Sequence, residues 1–113
     1  MIKPRQWEDI ESFYKDWTNT NSKFEEMVDL IGYIRNSKLS EKLYGYTSLN
    51  NLGISIYNPI VPRKEVLFIC FDLANGLWNF EFQSEPFLKA EHQCSYKDNL
   101  IEHFIHYINL LKW

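Results

Sequence analysis

The sequence predicts one α+β domain over residues 1–113: two N-terminal helices, a three- to four-stranded antiparallel sheet, and a C-terminal helix packed on that sheet. Three observations carry this prediction. Apolar residues recur every three to four positions in the first third and in the last stretch of the chain, the spacing of a helix face. Between them the period falls to two, the spacing of a half-buried strand. The dipeptide Asn75-Gly76 then marks a tight turn between two such runs.

Taken in order, Trp7, Ile10, Phe13 or Tyr14, and Trp17 form the first stripe, with Glu8, Asp9 and Glu11 between them. Thr18 to Asn21 is a polar break. Ser22-Lys23-Phe24-Glu25 has the spacing of a capping box, in which hydroxyl and carboxylate satisfy free helix N–H groups reciprocally. Phe24, Met27, Val28, Ile31 and Ile34 make the second stripe. Ser40 to Leu43 suggests a short helical turn, and Tyr44 to Asn51 a structured connection mixing aromatic and turn residues. Leu52, Ile54 and Ile56 alternate with Gly53, Ser55 and Tyr57 as a strand. Asn58 to Lys64 holds two prolines, which cannot donate to a ladder, and reads as a loop. Val66 to Phe71 is continuously apolar and fits a central strand covered on both faces. Trp78, Phe80 and Phe82 alternate with polar residues and are expected in the core, together with Phe104. Ser84 to Leu88 reads as a loop around Pro86, and Lys89 to Cys94 as a polar edge strand. Ser95 to Asp98 offers caps for a last helix with the stripe Leu100, Phe104, Tyr107, Ile108 and Leu111.

The composition narrows the function classes. A hydrophobic share of 45% with 24% charged residues is that of a globular protein. A net charge of −3 argues against nucleic acid as a partner, because phosphate binding needs clustered Lys and Arg. No run approaches the roughly 18 apolar residues of a membrane span, and the first residues lack the apolar segment of a signal peptide. A cytoplasmic location is the expectation. Cys70 and Cys94 have no metal-type spacing, and Cys70, inside an apolar run, reads as a reduced core thiol.

Chemistry-bearing constellations are sparse, and neither catalytic residues, a metal nor a cofactor is expected. His103 and His106 lie at i and i+3, near enough to share a metal ion, but His92 is the only further histidine for a third ligand. The same histidines are the minimal kit of a metal-independent hydrolase or ribonuclease, which the acidic balance disfavours. The four glycines are scattered singly, so no phosphate loop forms.

The distribution of charge is more informative. From Trp7 to Asp29 stand seven acidic residues (Glu8, Asp9, Glu11, Asp16, Glu25, Glu26 and Asp29) against Lys15 and Lys23, a local net of −5. Because both apolar stripes face the core, these carboxylates should project outward, either as a solvated face or as a lure for a basic partner. An aromatic share of 17% exceeds what so small a core needs, and Tyr14, Tyr44, Tyr46 and Tyr57 are candidates for exposure. Tyrosine supplies rigid contact area at interfaces.

The acidic, aromatic-rich helical start, the Gly45-Tyr46-Thr47-Ser48-Leu49 connection, the strand pair around Asn75-Gly76, and the ending Asn109-Leu110-Leu111-Lys112-Trp113 together resemble the small immunity proteins of bacterial polymorphic toxin systems, contact-dependent growth inhibition among them. That resemblance implies a cytoplasmic inhibitor, not an enzyme. Such a protein binds a cognate toxin domain, often a basic nuclease, and covers its active site or substrate groove. The carboxylates and tyrosines above are then the expected contact residues. A generic interaction or adaptor domain, homodimeric through a sheet edge, is the competing expectation.

Overall fold

The computed structural model describes residues 1–61, 64–84 and 90–113, and the side chains from residue 93 onward in the last segment. The expected loop around Pro86, together with Pro62, Lys89 and the His92 side chain, lies outside the described residues.

Two helices come first, α1 (Trp7–Trp17) and α2 (Glu25–Arg35), as their apolar spacing requires. Their junction differs from the expected capping box. Asn21 is the cap of a single 3₁₀ turn over Ser22–Phe24, its Oδ1 accepting the Lys23 N–H at 2.9 Å, and Glu25 begins α2 itself. A second 3₁₀ turn, Lys38–Glu41, starts at Ser37, whose Oγ accepts the Leu39 N–H.

The sheet has five strands rather than three or four: β1 (Tyr44–Ser48), β2 (Asn51–Ser55), β3 (Val66–Asp72), β4 (Leu77–Gln83) and β5 (Ala90–Tyr96), antiparallel and in sequence order. The additional strand is β1, formed by the aromatic connection. It pairs with β2 through the two-residue turn Leu49-Asn50. Cross-strand partners Tyr46 and Gly53 explain its composition. The Tyr46 ring lies over Gly53 so closely that a Cβ there would overlap it. Gly45 likewise admits the Trp7 ring, whose Cη2 would stand 2.7 Å from an added Cβ.

Helix α3 (Leu100–Leu111) follows β5. The expected Ser95–Asp98 cap does not form, because Ser95 and Tyr96 belong to β5 and the helix starts from Asn99 in the left-handed region. All three helices pack on one face of the sheet. Leu52, Ile54, Leu67, Ile69, Phe71, Trp78, Phe80 and Phe82 point into that layer and meet Ile10, Phe24, Leu30, Ile31 and Phe104 in one core. The expected core positions Trp78, Phe80, Phe82 and Phe104 are all buried.

β3 is central, yet only one of its faces is covered along its whole length. On the other face Val66 is buried with Tyr46 and Ile60 in a second, smaller cluster, while Phe68 and Cys70 are half-buried. Cys70 is therefore a thiol of the less covered face rather than of the main core. Burial, with the Glu81 carboxylate nearby, pushes it up to about 11.

Strand directions and ring contacts define two ends. The Leu49-Asn50 turn, the Leu73–Gly76 loop and the start of α3 share one end, because consecutive antiparallel strands reverse there. Tyr14, which donates to the Asn50 carbonyl at 3.1 Å, brings the later half of α1 to this tip end. Phe24, in edge contact with Phe71 and Trp78 at 5.4 and 5.9 Å, brings the start of α2 there. Helices α2 and α3 thus run parallel, both starting at the tip end, and α1 runs against them. At the opposite end Ile2 and Ile60 exchange backbone hydrogen bonds of 2.7 Å, which fasten the first residues across the Asn58–Ile60 segment.

Candidate functional site

Two of the tyrosines expected on the surface are buried. Tyr14 is 0% exposed, since positions 7, 10 and 14 share one stripe of α1 and turn Phe13 outward instead. Burial raises its hydroxyl well above the usual tyrosine value. Tyr46, 9% exposed, is committed to Gly53 and to the edge of the Phe68 ring. Tyr44 is half-buried in the second cluster. Tyr57, also half-buried, donates to Glu65 Oε2 at 2.6 Å and carries Lys64 over its ring, so it closes its own loop. That hydrogen bond to Glu65 raises the Tyr57 hydroxyl.

The acidic run is divided by the helix directions. Glu8 and Asp9, exposed in the first turn of α1, lie at the opposite end from Asp16, Glu25 and Glu26. Glu11 accepts Arg35 at 3.2 Å and is only half-exposed. Glu26 forms an ion pair with Lys23 and accepts the Trp78 indole N–H at 3.3 Å, which ties the start of α2 to the sheet. Asp16, Glu25 and Asp29 project freely into solvent.

What the fold assembles instead is a groove between α2 and α3 of about 390 Å³, lined by Glu26, Asp29, Asp98, Asn99, Leu100, Ile101 and Glu102. Asp98 and Glu102 were not among the residues singled out from the sequence. The available signal was only their nearness in sequence to the start of the last helical stripe; Asp98 itself lies before the helix, with the left-handed Asn99 between. Lys23 neutralises Glu26, and each helix start contributes about half a positive charge, which does not offset the three remaining carboxylates. The groove therefore carries net negative potential above a floor of Leu100 and Ile101. A cation or a cationic side chain gains by entering it, and an anion is repelled.

The histidines do not form such a convergence. His103 lies flat on the Tyr96 ring, centroids 3.4 Å apart, and His106 is exposed. Among the described residues no group of three His, Cys, Asp or Glu side chains is arranged to hold a metal ion. No helix among them is long and apolar enough to cross a membrane.

The tip end also presents apolar side chains, apart from the groove. Leu49 is 85% exposed and Leu73 53% exposed, each in a loop between strands. Phe13, Asp16, Trp17 and Thr20 border a shallow notch of about 250 Å³ at the end of α1.

No family model, no curated protein and no solved structure matches this chain.

Proposed function

We propose that the chain is an immunity-type inhibitor. In this reading it binds a basic toxin domain, a nuclease in the first instance, in the bacterial cytoplasm and covers its active site or substrate groove. The observation that carries the reading is the groove lined by Glu26 and Asp29 of α2, Asp98 just before α3, and Glu102 of α3. Nuclease clefts are lined with Lys and Arg because they hold phosphates. A row of carboxylates presents the charge of phosphates to such a cleft, so inhibition needs no chemistry by this chain. Complementary charge acts chiefly on the rate of encounter.

The test is the kinetics of association with a basic nuclease toxin domain, sought first among the genes that neighbour the one for this chain. Asp29→Lys, Asp98→Lys and Glu102→Lys together should slow association at least about 10-fold at low salt, with the difference shrinking as salt rises. Glu26 is left intact because Trp78 depends on it. An association rate unchanged by the triple substitution at low salt would reject the acidic groove as the docking element.

A second reading, a homodimer through the sheet edge, is favoured by one feature. Among the described residues β5 pairs with β4 alone, whereas the outer side of β1 receives the Arg5 N–H. Sedimentation of the chain by itself across a concentration series separates the two readings.

A further inference from the structure

We infer that two copies of this chain pair edge to edge through β5, antiparallel about Cys94, with their α3 helices side by side above the joined strands. The inference rests on the homodimer reading and specifies how the copies meet. β5 is the last strand of the sheet and among the described residues pairs with β4 alone, so the backbone groups on its outer side are open to a further strand. Gln93, Cys94 and Ser95 are exposed along this edge.

The sequence of the edge selects the register. Antiparallel pairing with Cys94 opposite its own counterpart sets position 91, an acid, against the partner's Lys97, once on each side of the two-fold axis. A shift of two residues loses this match, because position 91 then faces Ser95 or Asn99. A shift of one faces it with Tyr96 or Asp98 and puts the two helix layers on opposite sides of the joined sheet.

The helix layer supplies an independent observation. Phe80 stacks on Tyr107 at 5.0 Å and His103 lies on Tyr96, so α3 runs over β4 and β5. Ile101 and Glu102 turn toward α2 and line the groove. At about 100° per residue, His103, His106 and Leu110 form the opposite flank, the one over the free edge. Leu110 is 52% exposed there, and that flank carries no Asp, Glu, Lys or Arg. An uncharged flank suits a second copy of a chain with net charge −3, because identical surfaces meet only where they do not repel. With Cys94 on the two-fold axis, both helix layers share one side of the joined sheet. The two α3 helices then lie antiparallel, and Leu110 of each copy leaves water.

The experiment uses the full chain and the single variants Cys70→Ser and Cys94→Ser. Cys70, half-buried on the other face of the sheet, is the internal control. Sedimentation across a concentration series should show a dimer. A short bis-maleimide should link two copies of Cys70→Ser and none of Cys94→Ser. Leu110→Asp sets two carboxylates beside the two-fold axis and is expected to weaken the dimer at least about 10-fold, with circular dichroism checking the fold. Leu49→Asp, equally a new charge but 85% exposed in the β1–β2 turn, should change it less than about twofold. A dimer that is not linked through Cys94, or that Leu110→Asp leaves intact, overturns this arrangement while the homodimer reading stands. A chain that stays monomeric overturns both and leaves the inhibitor reading untouched.

Discussion

The two ends of the sheet are built from the same kinds of residue and put them to different uses. At one end, aromatic and aliphatic side chains close inward. Trp7 fills the space over Gly45 and donates its indole N–H to the Leu43 carbonyl at 3.2 Å, Tyr57 clasps Glu65, and Ile2 and Ile60 lock together. Glu11 there pairs with Arg35 across the two antiparallel helices. At the tip end the loops are short, their leucines face water, and carboxylates of α2 and of the start of α3 gather around a single ion pair among the described residues, Glu26 with Lys23. Helix direction makes the difference. An antiparallel pair brings the acidic start of one helix to the basic finish of the other, whereas a parallel pair adds two acidic starts together.

Removing the shared support of the tip end should have the largest effect. Phe24 is fully buried and touches the rings of Tyr14, Trp17, Phe71 and Trp78. Phe24→Ala is expected to cost about 3–5 kcal/mol in urea unfolding, the range for large aromatic truncations in a core. Ile60→Ala at the other end should cost less, about 2–3 kcal/mol, because the cluster around it is smaller. Equal losses would erase the contrast in how the ends are held.

A smaller effect, of opposite sign, should come from the exposed turn. Leu49→Asn is expected to raise stability by about 0.5–1 kcal/mol, since asparagine tolerates the left-handed region better than leucine and no packing is lost. A destabilised variant would mean that Leu49 contributes to the free molecule through contacts its exposure does not show.

The smallest effect is a local pH dependence at the neighbouring loop. Hydrogen bonds from Asn75 and Ala74 hold the Asp72 carboxyl below the usual carboxylate range. A pKa lower in the folded than in the unfolded state contributes order that is complete above the unfolded value, about 3.9. That order is lost as pH falls through the lower, folded value. Amide exchange at Ala74 and Asn75 should therefore be slow at pH 5 and show loss of protection at strongly acid pH. Asp72→Ala should show little protection at either pH.

Much of the architecture was legible because it follows from period. The stripes of α1, α2 and α3 and the alternation in β4 each need only one element and one face. β1 was not legible, for two reasons. Its inward positions are Gly45 and Thr47, which carry little apolar signal, and its turn uses Leu49-Asn50 where glycine would have announced a hairpin. Tyr14 was misread for a subtler reason. Phe13 and Tyr14 both fit three-to-four spacing, and only the position of Asn50 and the sheet decides which ring turns inward. The acidic run was visible, but not its division. Local sequence shows neither that Glu8 and Asp9 part from Glu25 and Glu26 nor that Asp98 and Glu102 join Glu26 and Asp29 from far along the chain.

The bond from the Trp78 indole to Glu26 makes the core visible from outside. Trp78 is fully buried, yet its nitrogen touches one wall of the acidic groove. A cationic side chain drawing Glu26 toward itself would alter the polarity around that indole. The molecule thus carries its own fluorophore at the groove, and once Trp7, Trp17 and Trp113 are replaced by Phe the wavelength of the remaining emission becomes a label-free record of what occupies it.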